Sequence, residues 1–341
     1  MKGWSVNKTV LCVFPFLACL IAASAFAADK VVILRAATYQ TPSSPQVMLV
    51  KEWAKEVEEK TGGRVKITIY PSATLVGPFE TYEGVTKGVA DIGNSNFSYS
   101  KGRFPMMECV DLPHGLKTTA VATHLINDFN KRFKPKELDD VKVLWLEGMA
   151  QGRFHTRKPI RTLEDMRGVR IRSNAFTANM VKALGGTPVG LPISEAYEAI
   201  SKGICDGITT AYDGLIQFKL DALCKYHTLA TSIVYTAGFF WVMNKEKWQS
   251  IPPDAQKIID AMDERYIDKA AKMWAAVDAD SIEKLKATGH TFIPLSPQED
   301  ARWGEKMKPI FDDYVKMTKE KGVPGEEALN WVRDYLKKND R

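Results

Sequence analysis

The sequence predicts an α/β protein built from two similar α/β lobes with a ligand cleft between them, joined by hinge strands and a long spanning helix. Three observations lead to this fold class. Strand-like and helix-like segments alternate from residue 30 onwards, which is typical of βαβ units with largely parallel sheets. A twelve-residue pattern occurs twice, 115 residues apart. A helical pattern at about 254–288 is far longer than the average helix.

The first elements are predicted as strand, helix and strand. Residues 31–37 form an apolar run, and a helical pattern follows at 44–60. Pro45 suits the first turn of that helix, and Gly62 with its neighbouring glycine suits the end. Apolar and polar residues then alternate at 65–70, which is the period of a strand with one polar face.

The repeated pattern indicates two related lobes. ETYEGVTKGVAD (80–91) recurs as EAYEAISKGICD (195–206), with six of twelve positions identical. Each copy predicts a short helix that ends at a left-handed glycine, Gly88 or Gly203, before an apolar strand. The offset is too long for a solenoid repeat, so two lobes of similar construction are the economical explanation. Chance similarity between two helix-turn-strand units is the alternative.

The segments after the second copy complete the chain. A strand-like run at 233–243 precedes the long helix, and amphipathic helices are predicted at 297–321 and 325–338. A helix as long as the one at 254–288 either crosses between lobes or is kinked.

These patterns set the predicted domain bounds. Lobe I comprises residues 28–150 and about 239–270, and lobe II comprises residues 151–238 and about 271–341. The helix at about 254–288 spans both lobes. A cleft between two lobes is a preferred place for a small ligand, and hinge closure around the ligand is a common response.

The first 27 residues carry the three parts of a signal peptide. Lys2 and Lys8 give the first eight residues a positive charge, an apolar stretch follows, and Ala25-Phe26-Ala27 forms a cleavage site. A membrane anchor is the alternative, but the apolar stretch is shorter than the roughly 20 residues that span a bilayer. A lipid anchor at Cys19 is disfavoured, because Phe16 stands where such sites usually have leucine. We therefore expect a periplasmic protein.

Composition and motifs exclude several functions. The chain has 47 basic and 41 acidic residues and no run of five basic residues, so nucleic acid is not expected as a partner. Motifs of nucleophilic hydrolases, zinc proteases and nucleotide-binding enzymes are absent, so no cofactor or metal is expected. An exported hydrolase stays as an alternative, since two carboxylates such as Glu80 and Glu195 suffice for a glycosidase. Helix capping explains those two residues better.

Three cysteines follow the signal peptide, at Cys109, Cys205 and Cys224. Their number is odd, and they show neither a CxxC motif nor a metal-binding spacing. One disulfide is compatible with this set. Three buried thiols are the simpler expectation.

The segment TLEDMRGVRIRSNAF (162–176) is the most informative part of the sequence. A short helical turn ends at Gly168, and a strand follows in which Arg170 and Arg172 point to the same face. Two arginines on an exposed strand are the alternative to a binding role, because charged residues mostly lie at the surface.

With the residues around it, this segment resembles the solute-binding proteins of tripartite ATP-independent periplasmic (TRAP) transporters. The matching residues follow the order and spacing of that family and cover essentially the whole chain after the signal peptide. They are EDMRG (164–168), IR (171–172), ALGGTPV (183–189), Pro192, SEAY (194–197) and GICDG (203–207), preceded by WAKEV (53–57), GRV (63–65) and YPS (70–72).

The resemblance implies a receptor, not an enzyme, that closes on an organic acid and delivers it to a sodium-driven permease without hydrolysing ATP. It places the ligand carboxylate on Arg172, whose guanidinium offers two parallel donors. Thr210 stands where the family often has an asparagine, and its hydroxyl donates only one hydrogen bond. In lobe I, two further site positions of the family fall on Asn96 and Tyr39. Arg153 lies near a second arginine position of the family.

Two aromatic residues complete the candidate site. Tyr212 and Phe240 lie where lobe II returns to the hinge, and their rings could stack on a ligand. Core packing is the alternative for the run that contains Phe240.

The resemblance also bears on the ligand and the partners. Asn96 stands where sialate-binding members have a glutamate, so a ligand other than sialate is expected. Tyr39, Tyr212 and the missing amide at Thr210 favour a monocarboxylate with an apolar or aromatic body, before a short dicarboxylate or a sugar acid. The expected partners are this acid and the TRAP permease subunits, and the expected state is a monomer. A sensory module for a membrane kinase would have the same fold and stays as an alternative.

Overall fold

The computed structural model describes residues 31–341 together with residues 1, 3 and 4. The predicted cleavage site and Cys19 lie outside the described residues. The strands are β1 Val32–Thr38, β2 Val65–Tyr70, β3 Ile92–Asn96, β4 Val141–Gly148, β5 Arg153–Thr156, β6 Arg170–Ser173, β7 Thr187–Gly190, β8 Gly207–Thr210, β9 Tyr226–Leu229, β10 Gly238–Asn244 and β11 Thr291–Pro294. The helices are α1 Pro45–Lys60, α2 Thr81–Thr86, α3 Glu108–Asp111, α4 Ala120–Phe133, α5 Thr177–Ala183, α6 Ala196–Ser201, α7 Tyr212–Gln217, α8 Lys245–Ser250, α9 Pro253–Asp260, α10 Asp263–Ala287, α11 Pro297–Glu320 and α12 Gly325–Asn339.

The strands form two sheets, and each sheet is the centre of one lobe. The first sheet has the order β2-β1-β3-β10-β4, and the second has the order β11-β9-β5-β8-β6-β7. In the first sheet β1 is parallel to β2 and β3, whereas β10 is antiparallel to β3 and β4. In the second sheet β6 is parallel to β7 and β8, whereas β5 is antiparallel to β8 and β9. The predicted two-lobed α/β fold is confirmed. The chain passes from lobe I to lobe II before β5 and returns to lobe I before β10, and these two strands are the antiparallel ones.

The repeated pattern forms the same unit in both lobes. Helices α2 and α6 end before glycines with φ of +73° at Gly88 and +70° at Gly203, a conformation that costs little only without a Cβ atom. The strands β3 and β8 follow directly. An ion pair that the sequence analysis missed repeats as well, because Arg35 binds Asp91 in lobe I just as Arg170 binds Asp206 in lobe II.

A buried carboxylate ties the elements of lobe I together. Glu147, near the end of β4, is fully buried and accepts four hydrogen bonds of 2.8 to 3.1 Å. The donors come from α1, β4, β10 and α10, and they are Gln46 Nε2 and the indole Nε1 atoms of Trp145, Trp241 and Trp274. This single side chain therefore fixes the spanning helix to the first sheet.

The spanning helix differs in one respect from the prediction of one helix at about 254–288. The chain forms α9 and then α10, with a turn at 261–262 between them. Helix α10 packs against α1, α4 and β4 of lobe I and also against α7 of lobe II. It is therefore the element that spans both lobes.

The last two helices also lie on different lobes. Helix α11 packs against α5 and the 3-10 turn Thr231–Ile233 of lobe II, whereas α12 packs against α3 and α4 of lobe I. The carboxylate of Asp340 accepts hydrogen bonds from the backbone N–H groups of residues 117 and 118. The packing of α12 differs from the expectation that all of 271–341 belongs to lobe II.

Cys109, Cys205 and Cys224 are buried free thiols, as the simpler expectation from the sequence had it. Burial raises the pKa of Cys109 and of Cys224 to about 12, so these thiols stay protonated at neutral pH. In the part of the chain described here, no helix has the length and apolar character needed to cross a bilayer.

Candidate functional site

The two arginines of β6 have different environments. Arg170, at the start of the strand, is exposed and pairs with Asp206 through Nη2 and Oδ1 at 2.9 Å. Arg172, two residues further, is only 3% exposed. A guanidinium is rarely buried to this extent without partners. The prediction that Arg172 lies inside the molecule is thus met by the geometry, and Arg170 is a surface residue.

Two neighbours hold the Arg172 guanidinium, one from each lobe. Nε donates to the backbone oxygen of Leu191 at 2.9 Å, and Nη2 donates to the hydroxyl oxygen of Tyr99 at 3.0 Å. Tyr99 belongs to the 3-10 turn after β3 in lobe I, and its oxygen also accepts from the N–H of Ile193 at 3.2 Å. Nη1 of Arg172 has no hydrogen-bond partner among the described residues, so this donor can serve an acceptor from outside the chain.

The lobe I candidates lie beside Tyr99. The ring of Tyr39 is buried and meets the ring of Tyr99 edge-on, with 5.6 Å between the ring centres. Burial raises the pKa of Tyr39 well above its ordinary value, and the charge of Arg172 acts in the opposite direction. Asn96 caps the 3-10 turn, because its Oδ1 accepts from the N–H of Ser98 at 2.8 Å. Its amide oxygen therefore shapes the turn that presents Tyr99.

The candidates on β5 and β8 face each other in register, Arg153 opposite Thr210. The Thr210 hydroxyl lies against Gly214, where a Cβ atom would come within 2.5 Å of it. Arg153 donates through Nη2 to Gln151 Oε1 at 2.7 Å. Its Nε and Nη1 atoms are buried and have no partner among the described residues, so this guanidinium offers two further donors.

The two aromatic candidates have packing partners. The Phe240 ring is fully buried among Tyr82 and Phe97, with ring centres 5.4 and 5.2 Å away. This is the core packing that the sequence analysis named as the alternative for Phe240. Tyr212 packs against His155, with 5.2 Å between the ring centres. Burial raises the pKa of Tyr212 to about 12, and the nearby charges of Arg153 and Asp278 act on it in opposite directions.

Two carboxylates that the sequence analysis missed lie close to these arginines. Asp278 on α10 is 8% exposed, and its Oδ2 accepts from the Thr119 hydroxyl at 2.7 Å. Asp213 lies in the first turn of α7. The Oδ1 atoms of both residues are buried and have no partner among the described residues. Burial, together with the charge of Asp278, raises the pKa of Asp213 to about 7.

We call Arg153, Arg172, Asp213 and Asp278 the interlobe charged cluster. The four residues are far apart in sequence and come from β5, β6, α7 and α10. No sequence spacing indicates that Asp213 or Asp278 belongs to this cluster. The packing of α10 against α7 brings the helices that carry them together.

A chain of three histidines runs from the site through the second sheet. His155 Nε2 lies 3.0 Å from the backbone oxygen of Thr210, and its Nδ1 lies 2.9 Å from Nδ1 of His227. His227 Nε2 lies 2.9 Å from Nδ1 of His290, whose Nε2 lies 3.0 Å from Lys225 Nζ. A carbonyl oxygen only accepts and an ammonium only donates. All three rings are therefore neutral, and every donor in the chain points towards Thr210.

A cavity of about 710 Å³ adjoins the site, a size typical of small-molecule pockets. It lies between the two lobes, and its lining includes Tyr99 and Leu191, the two residues that hold Arg172, with Phe176 and Tyr314 on other sides. Arg172 itself does not line it, although its two hydrogen-bond partners do.

Two α/β lobes that enclose a buried arginine define a two-lobed binding protein. The comparisons give the family. Residues 36–317 match the family model for bacterial extracellular solute-binding protein, family 7 (DctP). The chain belongs to this family of TRAP solute-binding proteins, which are receptors and not enzymes.

Relatives and solved structures agree with this assignment. A solute-binding protein of Albidiferax ferrireducens is 26% identical over 285 residues, 78% of this chain and 80% of that protein. A TRAP solute-binding protein of Rhodoferax ferrireducens, in complex with copurified benzoate, is 28% identical with a TM-score of 0.84 over 90% of this chain and 98% of that one. A marine metagenome TRAP solute-binding protein specific for aromatic acid ligands, in complex with 3-hydroxybenzoate, is 27% identical with a TM-score of 0.86 over 92% of this chain and 100% of that one.

Proposed function

We propose that this protein is a periplasmic receptor that binds an organic acid by its carboxylate on Arg172 and delivers it to a sodium-coupled membrane permease. The observation that carries the proposal is the Arg172 guanidinium, buried where the lobes meet and with Nη1 unpartnered among the described residues. The export pattern of residues 1–27 supports the periplasmic location.

The contacts of Arg172 suggest how the acid is held. The Leu191 carbonyl engages Nε and fixes the plane of the guanidinium, so that the edge with Nη1 and Nη2 is oriented for a carboxylate. Tyr99 reaches Nη2 from the opposite lobe. We expect the acid to dock on Arg172 in an open form. The lobes then close by rotation near residues 150 and 238, and Tyr99 covers the carboxylate.

The body of the acid is proposed to be apolar or aromatic. Tyr39 and Tyr99 present two buried rings next to Arg172, and offset or edge-on contacts with rings of this kind favour a flat ligand. Binding of benzoate and of 3-hydroxybenzoate by two related proteins supports the same class.

The carboxylate proposal is tested with two arginine variants. Arg172→Ala removes one partner of a buried ion pair, which typically costs roughly 3 to 5 kcal/mol, or about two to four decades of affinity. Arg170→Ala, two residues away and paired at the surface with Asp206, is the matched control and should bind normally. Titration calorimetry with organic acids, selected by thermal shift, measures both. An Arg172→Ala variant that binds like the wild type contradicts the proposal.

Delivery to the permease is tested separately in cells. Deletion of the gene should abolish sodium-dependent uptake of the acid that the purified protein binds. Re-expression of the wild type should restore uptake, and re-expression of Arg172→Ala should not. Uptake that persists without the receptor would contradict the transport role and leave the binding result intact.

A further inference from the structure

We infer that the bound acid carries a hydroxyl group at the end of its body opposite the carboxylate, and that Asp213 accepts the hydrogen bond from that hydroxyl. The inference rests on the proposed function, because it takes the carboxylate to lie on Arg172. It goes further by assigning a second contact and a chemical class to the ligand.

The first step is the state of the two carboxylates. Asp213 Oδ1 and Asp278 Oδ1 are both buried and both lack a hydrogen-bond donor among the described residues. Nearly all buried polar atoms in folded proteins have a partner, and an unpartnered buried acceptor is unfavourable. In their ionised forms the two carboxylates therefore need a donor from outside the chain.

The second step is that the protein's own cation does not fill this need. Arg153 has two buried, unpartnered donor atoms, and its charge acts on Asp278. Even so, the described residues contain no ion pair between Arg153 and either carboxylate. The Arg153 guanidinium and the two carboxylates therefore lie in one cluster without pairing with each other. This arrangement leaves them available to a polar ligand.

The third step places Asp213 relative to Arg172. The Tyr39 ring meets Tyr99, which holds Arg172. Its neighbour Gln40 accepts a hydrogen bond from Gln217 at the end of α7, the helix that carries Asp213. An acid whose carboxylate lies on Arg172 would run along the Tyr39 ring, and its far end would approach Asp213. Helix α7 packs against α10, which brings Asp278 next to that far end.

The fourth step selects the hydroxyl group. A second carboxylate on the ligand would lie beside Asp213 and Asp278 and would be repelled. A purely apolar end would leave Asp213 Oδ1 without a donor. A hydroxyl donates one hydrogen bond without adding charge. Sites built to bind a hydroxyl discriminate strongly against analogues that lack it.

The experiment compares matched acids by titration calorimetry on the full-length mature protein. The probes are benzoate, 3-hydroxybenzoate, 4-hydroxybenzoate, 3-methoxybenzoate and 4-(aminomethyl)benzoate, with hexanoate and 6-hydroxyhexanoate as an aliphatic pair. We expect a hydroxylated acid to bind the wild type at least tenfold more tightly than its unsubstituted partner and the methoxy analogue. Asp213→Ala should reduce this preference to less than threefold. Asp312→Ala, an exposed aspartate on α11, is the control and should keep the preference.

Each other outcome overturns the inference. Equal binding of hydroxylated and unsubstituted acids by the wild type, or a preference that survives Asp213→Ala, contradicts a hydrogen bond from the ligand hydroxyl to Asp213. Tightest binding of the aminomethyl acid would assign an ammonium group instead. In these cases binding that still depends on Arg172 leaves the proposed function in place. If the wild type binds no acid at all, the proposed function fails together with the inference.

Discussion

At the scale of single residues, Glu147 gathers four N–H donors on one buried carboxylate. Burial raises the pKa of Glu147, and the four hydrogen bonds oppose that rise, since hydrogen bonds to a charged group are stronger than neutral ones. Three of the four donors are indoles, which have no other polar group to satisfy. The residue is thus a polar centre within an aromatic core, with α10 attached to it through Trp274.

The Glu147→Gln variant tests this role. The amide keeps one acceptor oxygen and turns an NH2 group towards N–H donors, so at least one indole N–H loses its partner. We expect the free energy of unfolding to fall by about 3 kcal/mol, the scale of an unsatisfied buried group at a charged site. Urea denaturation measures the change, and Glu246→Gln on the exposed face of α8 is the control. A Glu147→Gln protein within about 0.5 kcal/mol of the wild type would contradict this account.

At the scale of elements, three adjacent strands assemble the histidine chain. His155 on β5 is the register partner of His227 on β9, and His290 immediately precedes β11 on the far side of β9. Burial is the main cause that lowers the pKa of all three rings. Nearby positive charge adds to it, from Arg153 at His155 and from Lys225 at His227 and His290, whereas Asp221 acts in the opposite direction on His290. Each ring is thereby kept neutral.

The histidine chain makes the free energy of unfolding depend on pH, and the lowered pKa values set the direction of that dependence. Burial lowers the pKa of His227 from 6.5 to about 3. Below about pH 6.5 the unfolded chain therefore takes up a proton that the folded chain does not. The free energy of unfolding should fall as the pH drops from 6.5 towards 3.

Denaturation between pH 7 and pH 4 measures this dependence in three proteins. The slope should be smaller in His227→Gln than in the wild type, because one group with a shifted pKa is gone. His124→Gln, at a half-exposed position on α4, should keep the wild-type slope. If the free energy of unfolding changed with pH by the same amount in all three proteins, the histidine chain would not control stability in acid.

The element scale also shows how far the sequence could predict this protein. Local signals placed α1, β2, α11 and α12 within one or two residues, because capping residues and periodicity depend on near neighbours. A kink in the long helical pattern was one of the two expectations, but its position at 261–262 was not predicted, since no glycine or proline marks it.

The site was predictable only in part. Arg172, the residue proposed to hold the carboxylate, was singled out by a family motif on one strand. Tyr99, Asp213, Asp278 and the histidine partners were not found, because each acquires its role from a residue far away in the chain. The core packing of the Phe240 ring could not be told from the sequence, because an apolar run carries no sign of which side chains face the core.

At the scale of the whole molecule, a side-chain bond between the lobes accompanies the Arg172–Tyr99 contact. Gln217 Nε2 at the end of α7 donates to Gln40 Oε1 after β1, at 2.6 Å. This bond joins lobe II to lobe I, so rotation of the lobes away from each other would break it. We therefore expect it to stabilise a closed form without touching the proposed carboxylate position.

Removal of this bond should weaken ligand binding modestly. A hydrogen bond contributes about 0.5 to 1.5 kcal/mol, so Gln217→Ala should raise the dissociation constant roughly three- to tenfold. The melting temperature of the ligand-free protein should hardly change. Gln256→Ala, which removes a bond to the backbone of Trp248 within lobe I, is the control. Unchanged affinity in Gln217→Ala would mean that this contact has no part in closure.

The position of β10 has a consequence for protease digestion. This strand comes from the second half of the chain, yet it lies between β3 and β4, which come from the first half. A single cut near residue 150 or near residue 235 would yield two fragments that remain interleaved through one sheet. Such nicked material should elute from a gel-filtration column as one particle and separate only in denaturant.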